Sequence, residues 1–149
     1  MRRGAGGVLW EAEGFTWPAG WDTPNAGVAN LKQELGFIAD HLHGHPSRQL
    51  WTVGVTGTNG KTSCAHWIAQ ALTALGRNAA VAGTLGNGLC GTVEPALNTT
   101  PEAAALHWML RCWKDAGAQS VALEVSSHGL LQGRVNGVEF DVALFTNLT

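Results

Sequence analysis

The stretch Trp51-Thr-Val-Gly-Val-Thr-Gly-Thr-Asn-Gly-Lys-Thr-Ser63 decides how this chain folds. An apolar run from Leu50 to Val55 predicts a buried strand, Gly57 to Gly60 predict a tight turn, and a helical pattern begins at Thr62. A glycine-rich turn between a strand and a helix points backbone N–H groups inward, which is the geometry that binds phosphate. Lys61 can then reach the outer phosphates, and the Thr62 hydroxyl can bind Mg²⁺.

The loop departs from the general phosphate-loop pattern at one position. That pattern, G-x-x-x-x-G-K-[ST], requires glycine five residues before Gly60, where this chain has Val55. Glycines stand at positions 54 and 57 instead. The alternative is a glycine-rich turn with a surface lysine. The strand-loop-helix context favours a phosphate loop.

The flanking sequence alternates between short apolar runs and helical stripes. Strands are predicted over Ala79–Ala82, Ser120–Val125 and Val142–Thr146. A helical stripe follows the loop and stops at Gly76, and a second helix is predicted with Thr100 as its cap and Gly117 at its end. The glycine-rich segment 85–98 is predicted to be a loop that holds a hairpin. This order predicts an α/β fold with a mostly parallel sheet covered on both faces.

The first 48 residues have a different pattern. A strand is predicted over Gly7–Ala12, an irregular connection over Phe15–Asn30, and a helix capped by Asn30. His43–Ser47 ends that helix and marks a boundary near residue 48. His41, His43 and His45 alternate, Pro46 follows, and no carboxylate or cysteine is expected near them, so a solvated linker is favoured over a metal site.

The composition excludes several classes of protein. The 149 residues are 45% apolar and 13% charged, with a formal net charge of −2, which excludes a disordered tail and a basic nucleic-acid-binding surface. The longest uncharged run, Asn78 to Val93, is short and rich in glycine, so no membrane span is predicted. No signal peptide is recognised and a cytoplasmic location is expected. The three cysteines are predicted to be reduced structural thiols.

Residues 54–62, Gly-Val-Thr-Gly-Thr-Asn-Gly-Lys-Thr, resemble the nucleotide loop of the Mur ligases and the folylpolyglutamate synthases. Three later stretches are similar to the Mur ligases that add the third residue of the peptidoglycan precursor, the UDP-N-acetylmuramoyl-tripeptide synthetases. These stretches are Asn98–Glu102, Glu124–Val135 and Phe140–Thr149. The resemblance is strong from Leu50 to Thr149 and weak from Val8 to Arg48.

The resemblance implies an ATP-dependent amide ligase of peptidoglycan synthesis, and so a part in cell-wall biogenesis, cell shape and division. The γ-phosphoryl of ATP passes to a carboxylate, and an amine then attacks the acyl phosphate. The implied cofactors are ATP and Mg²⁺. The implied substrates are UDP-N-acetylmuramoyl-dipeptide and an amino acid, either diaminopimelate or lysine. No nucleic acid, membrane or obligate protein partner is implied.

The resemblance also implies roles for individual residues. Lys61 and Glu124 are implied to be catalytic, and Thr62 and Glu124 to hold the metal. The implied ATP-binding residues are Thr56, Gly57, Thr58, Asn59, Gly60, Lys61 and Thr62. The implied substrate-binding residues are Asn98, Thr99, Thr100, Ser126, Gln132 and Arg134. Two alternatives stay open: Glu124 pairs with a lysine or arginine, and His128 satisfies backbone groups, which we favour over its facing the site.

The resemblance further divides the chain. Residues 1–48 are expected to be a remnant of an N-terminal UDP-binding domain with its linker, and 49–149 the first part of a central ATP-binding domain. The family's second metal ligand, carbamylated lysine and C-terminal amino-acid-binding domain have no counterpart in these residues. We therefore expect part of a longer enzyme that is inactive alone. Other interpretations are a folylpolyglutamate synthase-like or other Mur-superfamily ligase, and a non-catalytic nucleotide-binding module.

Overall fold

The computed structural model describes residues 6–149, which form a two-stranded sheet, a six-stranded sheet and four α-helices. The strands are β1 (Val8–Glu11), β2 (Asn25–Val28), β3 (Trp51–Thr56), β4 (Ala79–Gly83), β5 (Gly86–Leu89), β6 (Thr92–Glu94), β7 (Ser120–Glu124) and β8 (Val142–Phe145). The α-helices are α1 (Leu31–Leu42), α2 (Lys61–Ala74), α3 (Ala103–Asp115) and α4 (Ser127–Leu131). A short 3-10 helix spans Pro46–Gln49. Within residues 6–149, every helix is too short or too polar to cross a membrane.

The large sheet has the strand order β6-β5-β4-β7-β3-β8. The strands β4, β7, β3 and β8 run parallel, and the β5–β6 hairpin adds two antiparallel strands at one edge. The predicted α/β fold with a mostly parallel sheet is confirmed. Because parallel strands end on the same side, Thr56, Gly83, Glu124 and Phe145 lie along one edge of the sheet, where such folds bind their ligands.

Two apolar clusters cover the two faces of this sheet. Alternate residues of a strand point to opposite faces, so β4 gives Ala79 and Val81 to one cluster and Ala80 and Ala82 to the other. The first cluster packs against α2 and the second against α3. The sheet is therefore fixed between two helices, and its carboxyl edge is a rigid platform.

The N-terminal elements differ from the prediction in two respects. The segment expected to be irregular contains β2, which pairs in parallel with β1. Asn30 has φ of 54° and makes no side-chain capping bond. The carboxylate of Glu11 caps α1 instead, because it accepts hydrogen bonds from the N–H groups of Asn30 at 3.2 Å and Leu31 at 2.8 Å. Hydrogen bonds from backbone N–H groups, that of Glu13 first, hold the pKa of Glu11 below its usual value.

The helix predicted to be capped by Thr100 begins two residues later than expected, at Ala103. The N-cap residue of α3 is Glu102, and the Thr100 hydroxyl bonds to the strand end of β7 instead. The start of this helix was placed wrongly because a threonine before a proline is a typical capping signal. In this fold the Thr100 hydroxyl donates to the backbone oxygen of Glu124 rather than capping the helix.

The histidine-rich segment also differs from the expected solvated linker. His45 Nδ1 lies 2.6 Å from the Oδ2 of buried Asp40, whose Oδ1 lies 3.5 Å from Nδ1 of fully buried His107. His107 Nε2 donates to the carbonyl oxygen of Asn136 at 2.9 Å. A carboxylate is therefore close to the histidines, contrary to the expectation. No group of three or more metal-ligating side chains occurs in the described residues.

Helix α1 docks on the turn that precedes β8 through direct backbone contact. A Cβ atom at Gly36 would overlap the carbonyl group of Asn136. The Asn136 side chain donates to the carbonyl oxygen of Gln33 at 2.9 Å. Glycine is therefore required at this position of α1, and the helix sits as close to the turn as two backbones allow.

Candidate active site

The phosphate loop connects β3 to α2 at the carboxyl edge of the sheet. Gly57 and Gly60 have φ of 127° and 84°, a region that side chains other than glycine rarely adopt. The Lys61 ammonium group donates to the carbonyl oxygens of Gly57 at 2.6 Å and Thr58 at 3.1 Å. The lysine therefore lies over the loop, and the first N–H groups of α2, which have no carbonyl partner within the helix, follow directly.

Thr146 and Asn147, the two residues that follow β8, hydrogen-bond to this loop and hold it in shape. The Thr146 hydroxyl donates to the carbonyl oxygen of Asn59 at 2.7 Å and also contacts that of Thr56 at 3.1 Å. The N–H of Thr58 donates to the carbonyl oxygen of Asn147 at 2.9 Å. A Cβ atom at Gly57 would overlap Thr146 and Asn147. Neither bracing residue was predicted from the sequence; their position at the end of an apolar strand run was the available signal.

Glu124, at the end of β7, is 1% exposed and is surrounded by hydroxyl and amide donors. Its Oε2 accepts from the Thr62 hydroxyl at 2.8 Å and from the Thr84 hydroxyl at 3.3 Å. Its Oε1 accepts from the Thr84 N–H at 2.8 Å. Within residues 6–149 it has no lysine or arginine partner, so the alternative of a Glu124 ion pair is wrong.

These contacts fit a bound Mg²⁺. An ionised carboxylate buried without a cation is costly, and a metal ion at this position removes the cost. Mg²⁺ takes oxygen ligands, and carboxylate and hydroxyl oxygens are among them. Thr62 Oγ1 and Glu124 Oε2 lie 2.8 Å apart, so two such oxygens would be available to hold the metal side by side.

The predicted substrate-binding threonines lie beside this carboxylate. Thr99 Oγ1 is 3.0 Å from Thr84 Oγ1. The buried Thr100 hydroxyl lies 2.9 Å from the backbone oxygen of Glu124 and 3.1 Å from Ser126 Oγ, and it accepts from the Ser126 N–H at 3.0 Å. Ser126 Oγ in turn accepts from the N–H of Gly129 and caps α4. Thr100 and Ser126 thus hold each other in place and form one wall of the site. The Thr99 hydroxyl hydrogen-bonds only with the Thr84 hydroxyl within the described residues.

Arg134 is also held close to this wall. Its Nη1 donates to the carbonyl oxygen of Thr100 at 2.8 Å, and its Nε donates to Gln132 Oε1 at 2.8 Å. Its Nη2 lies 2.9 Å from a carboxylate oxygen of Glu102. Asn98, by contrast, is exposed and lines a separate depression near the start of α3. The structure therefore brings five of the six predicted substrate residues together and leaves Asn98 apart.

A cavity of about 390 Å³ opens beside the phosphate loop. Its lining includes Lys61, Ser126 and His128 together with apolar Phe145 and Leu148. The His128 side chain is exposed and makes no hydrogen bond within residues 6–149. The favoured interpretation, in which this ring satisfies backbone groups, is therefore wrong, and His128 is one of the residues that line the cavity.

The sequence of residues 55–149 matches the family model of the Mur ligase middle domain. The chain belongs to the Mur ligase family. The match begins at Val55, near the end of β3, and runs to the last residue, so it includes the loop between β3 and α2, Glu124 and the bracing residues. The resemblance seen in the loop sequence is thereby confirmed at the level of the family.

Individual Mur ligases match this chain over its whole length. It is 52% identical to a UDP-N-acetylmuramoyl-L-alanyl-D-glutamate--2,6-diaminopimelate ligase of Nitrosomonas europaea, covering 100% of this chain and 29% of that protein. The corresponding ligase of Chromobacterium violaceum is also 52% identical over 100% of this chain and 30% of its own length. This Mur ligase chain therefore spans about 30% of the length of these relatives.

Solved structures support the same fold. A UDP-N-acetylmuramoyl-L-alanyl-D-glutamate--2,6-diaminopimelate ligase superposes with a TM-score of 0.75 at 32% identity, covering 89% of this chain and 27% of that one. A folylpolyglutamate synthase of Mycobacterium tuberculosis superposes with a TM-score of 0.63 at 20% identity, covering 76% of this chain and 33% of that one. The second likeness concerns the fold alone.

Proposed function

We propose that the protein carrying this chain joins diaminopimelate to UDP-N-acetylmuramoyl-L-alanyl-D-glutamate with ATP and Mg²⁺. The observation that carries the proposal is the contact between Thr62 and Glu124 at the mouth of the phosphate loop. It puts a hydroxyl and a buried carboxylate where the metal of a nucleotide substrate would sit. The relatives at 52% identity are diaminopimelate ligases, which favours diaminopimelate over lysine.

In this proposal the chain's own residues bind and neutralise the nucleotide. The N–H groups at the start of α2 bind phosphate oxygens, and Lys61 leaves the loop carbonyls to meet the outer phosphates. Thr62 and Glu124 hold Mg²⁺, which supplies positive charge against the charge that develops during phosphoryl transfer. Such a transfer depends on positioning and charge more than on a protein nucleophile.

The wall formed by Thr99, Thr100, Ser126, Gln132 and Arg134 supports a role in binding the acidic substrate. Arg134 keeps Thr100 and Gln132 in place, and hydroxyl and amide groups suit a sugar nucleotide linked to a carboxylate peptide. Asn98 stays a prediction of the sequence, although the structure leaves it apart from this wall. The reaction uses ATP, and we propose that it takes place in the cytoplasm as a step of peptidoglycan synthesis.

The test is ligation by the full-length protein. Purified protein receives ATP, Mg²⁺, UDP-N-acetylmuramoyl-L-alanyl-D-glutamate and either diaminopimelate or lysine, and the amide product is measured by mass spectrometry. Lys61→Ala is expected to lower turnover by about 10²-fold or more, because one charge stabilising the transition state is lost. Lys32→Ala, which changes an exposed lysine of α1, is the matched control.

Three outcomes would contradict this proposal. Preference for lysine would overturn the amino-acid assignment. Near-normal turnover of Lys61→Ala would overturn the phosphate-loop assignment. Binding of Mg²⁺-ATP without any product would indicate a nucleotide-binding module rather than a ligase.

A further inference from the structure

Thr84 is the residue directly after Gly83, at the carboxyl end of β4. It contacts Glu124, the proposed metal ligand, and Thr99, a predicted substrate-binding residue. Its backbone N–H donates to Glu124 Oε1 at 2.8 Å. Its hydroxyl lies 3.3 Å from Glu124 Oε2 on the metal side and 3.0 Å from Thr99 Oγ1 on the substrate side. No other side chain in the described residues hydrogen-bonds with both Glu124 and Thr99.

The chemistry of the groups sets the direction of these bonds. An ionised carboxylate only accepts hydrogen bonds, and a hydroxyl donates one proton. The Thr84 hydroxyl therefore donates to Glu124, and Thr99 donates its own proton to Thr84. The Thr62 hydroxyl donates to the same carboxylate oxygen from the other side. A continuous series of hydrogen bonds runs from Thr99 through Thr84 and Glu124 to Thr62.

We propose that Thr84 is a positioning residue that fixes the metal-binding carboxylate of Glu124 and orients Thr99 toward the acceptor substrate. The proposal rests on the proposed function for its substrate side. The other part of the proposal, that Thr84 positions Glu124, depends only on the binding of a nucleotide with Mg²⁺. With Thr99 Oγ1 committed as a donor to Thr84, its lone pairs are left to accept hydrogen bonds from N–H or O–H groups of the substrate.

The hydroxyl can be removed without removing the backbone contact. The N–H of Thr84 keeps its bond to Glu124 Oε1 whatever the side chain, and Thr84 is exposed, so a change here does not open a cavity in the core. Thr84→Val keeps the shape and the β-branch of the side chain but loses the hydroxyl. Thr84→Ser keeps the hydroxyl and loses only a methyl group.

The experiment compares these two variants in the full-length protein. A fluorescent ATP analogue is titrated with and without Mg²⁺, and steady-state ligation is measured with each substrate varied in turn. For Thr84→Val we expect a 3- to 10-fold weaker Mg²⁺-dependent affinity, unchanged metal-free affinity, and a rise of about 10-fold in KM for the nucleotide-peptide. Thr84→Ser is expected to stay within about 2-fold of the unmodified protein in each measurement. Thr92→Val, the same change on exposed β6, is the control.

Each outcome bears on the proposal. If Thr84→Val binds Mg²⁺-nucleotide as the unmodified protein does, the positioning of Glu124 by the hydroxyl is wrong. If both Thr84→Val and Thr84→Ser lose affinity equally, with and without Mg²⁺, the residue is only structural and the proposal is overturned. If the unmodified protein forms no amide product, the proposed function fails, but the Mg²⁺-dependent difference between Thr84→Val and Thr84→Ser still decides the metal side.

Discussion

The side chain of Asn147 pairs with the backbone of Asn59 in both directions. Its Oδ1 accepts from the Asn59 N–H at 3.1 Å, and its Nδ2 donates to the Asn59 carbonyl oxygen at 3.2 Å. The side-chain amide of Asn147 thus pairs with both the N–H and the carbonyl group of Asn59, as a neighbouring strand pairs with a strand residue. The exposed tip of the phosphate loop is held in shape by a residue almost ninety positions away in the sequence.

Asn147→Ala is expected to weaken the binding of Mg²⁺-ATP by about 3- to 10-fold. Two hydrogen bonds of about 0.5–1.5 kcal/mol each are lost, and part of that free energy reappears as the cost of ordering the loop around the nucleotide. Isothermal titration calorimetry measures the affinity. Asn25→Ala, which loses comparable bonds in β2, is the control. Unchanged affinity in Asn147→Ala would show that the loop needs no brace.

Gly83→Ala tests the close approach of β4 to the Glu124 carboxylate, which we propose holds the metal. A Cβ atom at Gly83 would overlap the carboxylate group of Glu124, so the carboxylate must leave the position in which it accepts from Thr62. We expect Mg²⁺-dependent nucleotide binding to fall at least 10-fold, with a lower melting temperature. Gly20→Ala adds a methyl group where no atom lies within 4 Å and is the control. If Gly83→Ala binds Mg²⁺-nucleotide normally, Glu124 does not hold the metal from this position.

Arg134→Ala separates substrate binding from nucleotide binding. Because Arg134 holds Thr100, Gln132 and Glu102, we expect KM for the nucleotide-peptide to rise about 10-fold while Mg²⁺-ATP affinity changes less than 2-fold. Arg134→Lys should recover little, since an ammonium group lacks the planar fork. Arg48→Ala, which breaks an exposed ion pair with Glu139, is the control. An equal loss for both substrates would indicate a purely structural arginine.

The buried His107 predicts a dependence of stability on pH. Burial lowers the pKa of His107, and nearby His43 acts in the same direction, whereas the Asn136 carbonyl and Asp40 oppose the shift. In the unfolded chain a histidine titrates near 6.5. The unfolded state therefore binds more protons below about pH 6.5, and stability falls as the pH is lowered through this range, by at most about 1.4 kcal/mol per pH unit.

Urea unfolding of the unmodified protein and of His107→Gln, between pH 7.5 and 5, checks this dependence. Glutamine can keep the hydrogen bond to the Asn136 carbonyl but does not titrate. The variant is expected to be less stable at pH 7.5 and to have a smaller slope below about pH 6.5. Equal slopes in the two proteins would assign the pH dependence to other groups.

Local patterns in the sequence were enough to predict the parallel sheet and the glycine-rich turn between β3 and α2. The apolar run before Gly57 and the helical stripe after it depend on neighbouring residues, so they can be recognised without the fold. The family resemblance then singled out Glu124, and the buried surroundings of this residue agree with that choice.

The features that could not be predicted depend on contacts between distant residues. The capping of α1 by Glu11 needs β1 and β2 to pair, and Asn25–Val28 has too few apolar residues to indicate a strand. Thr100 carries a capping signal, but its hydroxyl is directed to Ser126 by the end of β7. Thr84 follows a strand by one residue, yet its value for the site is visible only when β4 and β7 lie side by side.

At the contact of Gly36 with Asn136, α1 and the turn that follows Arg134 pack so closely that a Cβ atom would not fit between them. Side chains can change rotamer to absorb a small displacement, whereas two backbones in contact cannot move closer to each other. A tilt of α1 toward the turn would therefore displace the turn and, with it, Arg134 and its contact with the carbonyl of Thr100. The phosphate loop is anchored instead to the end of β8. The nucleotide side of the site is thus held by residues that follow β8, and the substrate side by the turn that packs against α1. The carboxylate of Glu124 lies between these two sides.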